Sequence, residues 1–367
     1  MNVKLVCQTC QKEYPSHEPV WRCECGGFLS IDFHARFPQN VIQKRKNTLW
    51  RYREALPIIH DEHIVSFDEG YTPLLKEQIL GRNVLLKLDY LFPSGSYKDR
   101  GASVLVSKIK ELGVQRVVED SSGNAGAAIA AYCAKAGITC DVYVPEKTTQ
   151  KKLLQIERYG AHLHKIHGSR EDTANAAWSA TKTRYYASHY WNPFFFHGTK
   201  TFIFEVVEQL GWNAPDIVIL PIGNGTLLMG TYIGLKELHR EGIIQNLPKI
   251  IGVQAQNCAP IASAWIKKLN TIKTVKTKKT IAEGIAVASP VRGKDILRII
   301  QETKGTILSV SEQEIKNAFQ EITQKGYYIE PTAAAAIAGF KKYPMKKNKT
   351  VIIPLTGHGI KASDTFL

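Results

Sequence analysis

The segment Phe92-Pro-Ser-Gly-Ser-Tyr-Lys-Asp-Arg-Gly101 holds the side chain best set up for chemistry, Lys98. Pro93, Ser94 and Gly95 make a turn, and Ser96 is placed to N-cap a helix that begins near Lys98. A lysine at a helix start meets the positive end of the macrodipole, which disfavours its ammonium form. A lysine with a lowered pKa forms Schiff bases with carbonyl compounds. The residue type alone is equally compatible with a solvated loop lysine. Two turns could hold anions. Ser121-Ser-Gly-Asn124 and Gly223-Asn-Gly-Thr226 each lie between an apolar strand-like segment and a helix-like one. Backbone N–H groups converge there, and glycine lets them do so with no Cβ in the way. Thr226 adds a hydroxyl donor. A third constellation is Cys7-x2-Cys10, twelve residues, then Cys23-x-Cys25-Gly-Gly. Four thiolates at such spacing suit a tetrahedral, structural Zn²⁺ site; free or disulfide-linked cysteines are the alternative. Cys133, Cys140 and Cys258 are scattered in apolar surroundings and read as small core residues.

These residues need a scaffold, and the chain between them alternates regularly. Apolar segments of strand length recur at Val84–Leu88, Val117–Glu119, Cys140–Val144, Ile217–Leu220, Ile250–Val253 and Val351–Pro354. Helix-like segments such as Gly101–Leu112, Ala125–Ala136 and Thr201–Leu210 lie between them. Strands alternating with helices predict βαβ units and a parallel sheet covered on both faces, an α/β fold. In open sheets of this kind ligands sit at the carboxyl ends of the strands, where the two glycine turns fall.

The Lys98 segment resembles the S-[FY]-K-x-R-G motif of pyridoxal 5′-phosphate (PLP) enzymes of the tryptophan-synthase-β fold type II, and Lys-Asp-Arg-Gly resembles the threonine synthase family. Asp68-Glu-Gly-Tyr-Thr-Pro-Leu74, Ser121-Ser-Gly-Asn-Ala-Gly126, Gly223-Asn-Gly-Thr226, Glu330-Pro-Thr-Ala-Ala-Ala335 and Leu355-Thr-Gly-His-Gly359 resemble the family's other signatures, in the same order. The resemblance implies two three-layer α/β domains and a small N-terminal zinc ribbon. The ribbon would be residues 1–35, the larger PLP-binding domain 36–92 with 199–367, and the smaller, mobile domain 93–198. It implies that Lys98 carries PLP and then shuttles protons, and that Asn124 bonds the cofactor's 3′-oxygen. Gly223, Asn224, Gly225 and Thr226 would take its phosphate. Thr356 would face the ring nitrogen, where a neutral hydroxyl leaves the ring a moderate electron sink. Ser121, Ser122, Gly123 and Asn192 would meet substrate. Cys7, Cys10, Cys23 and Cys25 would hold Zn²⁺. His358 reads as part of a tight loop.

The family's N-P-x-R-x-x-G is here Asn192-Pro-Phe-Phe-Phe-His-Gly198, with Phe195 where an arginine would meet the phosphate of O-phospho-L-homoserine. An apolar ring cannot pair with a dianion; His189, His197 and Lys200 are the nearby cationic candidates. Three functions follow. One is threonine synthase. Another is a related lyase or β-replacement enzyme, such as a serine/threonine ammonia-lyase or a cysteate-synthase-like activity. The third is a zinc-ribbon binding protein without turnover. The chain has 367 residues and a formal net charge of +15. Six lysines and no acid lie between Lys267 and Lys279, and five lysines between Lys341 and Lys349. Neither run has the pattern of basic residues interleaved with aromatics or a known docking motif, so nucleic acid is not the expected partner; general positive potential suits a small anionic amino-acid substrate. No apolar run approaches the ~20 residues that cross a bilayer, and the start lacks a signal-like apolar core. The expected setting is cytoplasmic, with no membrane contact, and the expected assembly a homodimer.

Overall fold

The computed structural model describes residues 3–168, 170–346 and 348–366; Lys347 of the second lysine run lies outside them. Its strands are β1 (Lys4–Cys7), β2 (Glu13–Pro15), β3 (Leu29–Asp32), β4 (Leu74–Ile79), β5 (Arg82–Lys87), β6 (Arg116–Glu119), β7 (Thr139–Pro145), β8 (His162–Ile166), β9 (Tyr185–Tyr186), β10 (Ile217–Pro221), β11 (Lys249–Ala255), β12 (Thr306–Val310) and β13 (Val351–Pro354). The chain divides into two units, Met1–Gly70 with Lys98–Thr201, and Tyr71–Tyr97 with Phe202–Leu367.

The first unit carries a four-stranded parallel sheet in the order β8-β7-β6-β9. Its inner strands are almost wholly buried, which is why they read as largely apolar, although β6 ends in Glu119 and Asp141 interrupts β7. The helices Lys98–Glu111 and Asn124–Ala136 pack on it through Ala102, Leu105, Val106, Ile109 and the alanine-rich face Ala127–Ala131. The cysteine-rich start folds as a three-stranded antiparallel ribbon, β2-β1-β3. It belongs to this unit: Leu5, Tyr14 and Leu29 join its core. Trp21 meets Trp178, Tyr186 and Trp191 edge-on at 4.9–6.0 Å, and the Arg22 guanidinium lies over Trp178 at 4.5 Å.

Residues 36–70 pack with this unit too, whereas the sequence reading grouped them with 199–367. The cause is one face of the Lys98–Glu111 helix. Ser103, Ser107 and Glu111 recur every fourth residue and bond the passing backbone. Ser103 Oγ donates to Val65 O (2.9 Å), Ser107 Oγ accepts from Val65 N (2.8 Å), and Glu111 Oε1 accepts from Ile59 N and His60 N. Leu49, Leu56 and Ile58 close the gap against Val104.

The second unit carries a six-stranded sheet in the order β12-β11-β10-β13-β5-β4. All pairs are parallel except the β4–β5 hairpin, whose turn residues Leu80 and Gly81 both have positive φ, as a two-residue hairpin turn requires. The Pro331–Lys342 helix fills the core below it with Ala333–Ala336, Ile337 and Phe340. Both units thus have the α/β architecture read from the sequence. Among the described residues no helix is long and apolar enough to cross a membrane.

Candidate active site

Lys98 is the first residue of its helix, and its side chain is half-buried. Ser96 does not cap that helix. It is fully buried, its Oγ has no hydrogen-bond partner, and its backbone pairs with Gly357. Tyr97 N donates to Thr356 O at 3.0 Å. Within the second unit, the residues just before Lys98 are thus pinned to Thr356 and Gly357. An orphaned hydroxyl two residues before the lysine is a costly feature to keep unless a ligand uses it.

The helix bearing Lys98 crosses a short one, Pro193–Thr199, at two glycines. A Cβ on Gly101 would lie 2.2 Å from the Phe195 ring, and one on Gly198 would lie 2.1 Å from Arg100 O. The glycines of Lys-x-Arg-Gly and of the Asn-Pro segment thus let these helices touch backbone to backbone. Phe195 is wholly buried in that crossing and presents its ring 5.9 Å from Lys98 Nζ. Asn192 is fully buried as well. Its Oδ1 accepts from Phe194 N as the helix cap, and its Nδ2 donates to Tyr185 Oη at 2.8 Å. Of the cationic candidates, Lys200 is fully buried, donates to His197 Nδ1 (2.9 Å) and lies over the Phe33 ring. Burial, seconded by Lys200, pushes the His197 pKa well below the usual imidazole value. His189 Nδ1 is bonded to Glu119 Oε1 at 2.7 Å.

β6 ends at Glu119, and the turn Ser121–Gly123 leads into the Asn124–Ala136 helix. Gly123, at the N-cap, has no side chain to satisfy the first-turn amides, and the turn is partly open to solvent. Gly126 is obligatory: a Cβ there would lie 1.9 Å from Ser121 O. Beside the turn, Glu119, Asp120 and His189 converge in the interior, with Tyr190 Oη donating to Asp120 Oδ2. The sequence reading missed this cluster, because nothing in local spacing links residue 189 to residue 119.

In the second unit, β10 runs into Gly223-Asn224-Gly225, and the Thr226–Arg240 helix follows. Gly225 has φ +78°, and a Cβ on it would strike Ile296 at 2.6 Å. Gly223 is similarly walled by Ile285 and Val287. The turn is a preformed cradle at a helix start with no side-chain cap, which suits a phosphate group. Thr356, almost fully buried, donates from Oγ1 to Glu330 Oε1 at 3.0 Å. Gly357 makes room for that carboxylate, which a Cβ would meet at 2.4 Å. His358 sits in the loop as expected: its Nδ1 accepts from Ile360 N, and its ring lies against Tyr90 and Tyr328.

The four ribbon sulfurs lie within 4.8 Å of one another. Cys7 Sγ accepts from Thr9 N and Cys10 N, and Cys25 Sγ from Gly27 N. Four sulfurs about 2.3 Å from a tetrahedral centre would stand about 3.8 Å apart, so the donor set fits Zn²⁺. The Tyr14 hydroxyl, above all, lowers the Cys23 thiol to about 6.

Residues 65–357 match the family model described as pyridoxal-phosphate dependent enzyme. The threonine synthase of Methanocaldococcus jannaschii is 36% identical over 98% of this chain and 93% of its own length. That of Mycobacterium tuberculosis is 35% identical over 86% of this chain and 89% of its own. Among solved structures, serine racemase from Dictyostelium discoideum superposes with a TM-score of 0.68 at 25% identity, covering 86% of this chain and 99% of that one. This chain belongs to the pyridoxal-phosphate dependent enzymes and, within them, to the threonine synthase family.

Proposed function

We propose that the protein is a threonine synthase that takes O-phospho-L-homoserine and water to L-threonine and inorganic phosphate. The similarity to proteins named threonine synthase over nearly their whole length, ribbon included, carries this reading. Likeness to solved threonine deaminase and serine racemase structures, at 20–25% identity, speaks for the fold.

PLP, when bound, supplies an electron sink for a carbanion next to the substrate nitrogen. The glycine turn 223–226 holds its phosphate in this proposal. Lys98 Nζ would hold the cofactor through its carbonyl carbon and, once the substrate amine displaces it, the freed amine would take the Cα proton and return protons as the phosphate leaves and water adds at Cβ. The capless first turn at Gly123–Asn124 receives the substrate carboxylate. Asn192 acts through position alone, since its amide is used in capping. Thr356 does more than a neutral hydroxyl would. Its proton is directed at the Glu330 carboxylate, so Oγ1 faces any third group as an acceptor. That arrangement favours a protonated ring nitrogen and a stronger sink than a hydroxyl alone.

A second reading, deamination of an unphosphorylated hydroxyamino acid, is favoured by Phe195, because no guanidinium is present there for a substrate phosphate. Purified holoenzyme offered O-phospho-L-homoserine, serine and threonine separates the two. The expected result is equimolar phosphate and threonine from the first compound. Ammonia and 2-keto acid without phosphate release would overturn the synthase reading and leave the cofactor assignment standing. For that assignment, borohydride should fix the cofactor on Lys98, and a Lys98→Ala protein should show no adduct.

A further inference from the structure

The lysine run 267–279 has no part in the site above, yet its Lys267, Val275 and Lys276 line an open cavity of about 340 Å³ in the second unit. The cavity opens where the parallel strands β11 and β12 end: Gln256 follows β11, and Ser309 is the penultimate residue of β12. This is the end of an α/β sheet at which ligands collect, and the volume falls in the range of about 300–1,000 Å³ found for small-molecule sites. Its polar lining is Lys267, Lys276, Gln256, Asn257, Ser263 and Ser309, and among the described residues no acid lines it. Ile266, 73% exposed, and Val275 give it an apolar rim.

The walls are held in place without a ligand. The short helix Pro260–Ile266 is anchored by Gln254, whose Oε1 accepts from Ile261 N and Ala262 N and whose Nε2 donates to Ile222 O. Trp265 Nε1 ties the same helix to Thr306 Oγ1 of β12. The far end of the lysine run is fastened to the turn after β11: Asn257 Nδ2 donates to Lys279 O (2.7 Å), and Lys278 N donates to Asn257 O (2.9 Å). Fastening both ends keeps six like charges in one short loop, which costs self-repulsion. An anion in the cavity would offset that cost.

We propose that this cavity binds a small phosphate-bearing molecule, with Lys267 and Lys276 as its charge partners and the amides and hydroxyls of Gln256, Asn257, Ser263 and Ser309 as its hydrogen-bonding groups. A cation pair with mixed donors suits a polyanion, and Ile266 and Val275 suit an attached apolar or ring portion. The inference stands apart from the reaction proposed above.

Calorimetric titration of PLP-loaded protein with pyrophosphate at low salt tests it, since the cofactor then fills the glycine turn. Wild type should bind one equivalent. Lys267→Ser with Lys276→Ser should weaken binding by about tenfold or more, the share of one to two charge-assisted contacts. Ser263→Trp, which fills the cavity and keeps every charge, should abolish it. Lys236→Ser with Lys346→Ser, an equal loss of exposed charge in the same unit, should leave it unchanged. No binding by wild type, equal weakening in both double variants, or undiminished binding by Ser263→Trp each overturns the proposal.

Discussion

At the scale of single residues, Thr356 and Glu330 differ most from what their types suggest. A threonine near a ring nitrogen can donate or accept; a buried carboxylate 3.0 Å from Oγ1 settles the direction of its proton. Glu330→Gln removes the charge and lets the amide donate to Thr356 instead, turning the hydroxyl around. The expected outcome is intact folding and cofactor binding, a shift of the cofactor's visible absorption or of its pH titration, and a loss of about tenfold in kcat with little change in KM. An unchanged spectrum would mean Glu330 only packs. Phe195 poses the opposite case. Its ring fills the space over Gly101, so Phe195→Ala should cost about 3–5 kcal/mol in urea unfolding, the cost of a buried phenylalanine. The sequence made Lys98, the glycine turns and the four cysteines legible, because backbone shape and ligand chemistry restrict residue type there. It did not make Glu119–His189 or Thr356–Glu330 legible as pairs, because their partners lie far apart in the chain.

At the scale of elements, the strands read correctly from the sequence were the inner ones: β6 and β7 in one sheet, β5, β10, β11 and β13 in the other. In these two sheets the strands not found, β4, β8, β9 and β12, are the edges; the short ribbon strands β1–β3 were not found either. An edge strand has one open side and can carry charge: β4 reads Leu-Leu-Lys-Glu-Gln-Ile and β8 His-Leu-His-Lys-Ile, so the apolar signal is lost where it protects against further pairing. The Pro193–Thr199 helix shows a different kind of buried polarity, and it has a pH signature. Burial and Lys200 hold His197 neutral in the folded state, with a pKa well below the unfolded value of about 6.5. Below that pH the unfolded chain takes up a proton that the native state refuses. Stability from this group is therefore complete above about pH 6.5 and falls by up to about 1.4 kcal/mol per pH unit below it. Urea midpoints between pH 7.5 and 5.5 should show this slope, and His197→Gln, whose Oε1 still accepts from Lys200, should flatten it. An equal slope in the variant would place the acid sensitivity elsewhere.

At the scale of the whole molecule, the division into units is only partly written in local sequence. Residues 36–70 contain few regular elements, and it is their contacts with the Lys98–Glu111 helix, through its serine–glutamate face and Val104, that show which unit claims them. The ribbon is the piece whose attachment has the widest consequence. An antiparallel sheet of strands only three or four residues long cannot bury enough apolar surface to stand alone, and small modules of this kind depend on a metal or disulfides. None of its cysteines forms a disulfide, and their sulfurs are gathered at one point. A metal bound there would therefore contribute folding free energy to the ribbon. Because Trp21 and Arg22 hold the ribbon against Trp178 and Trp191, that free energy would be shared with the rest of the first unit. Protein prepared without chelator should contain one Zn²⁺ per chain, and Cys7→Ser with Cys10→Ser should contain none. Stripping the metal should red-shift tryptophan emission as the aromatic cluster opens, and should lower the Tm of the whole first unit. If the stripped protein keeps both its emission maximum and its Tm, the ribbon is held by its aromatic contacts alone, and the metal, if bound, contributes nothing to the fold.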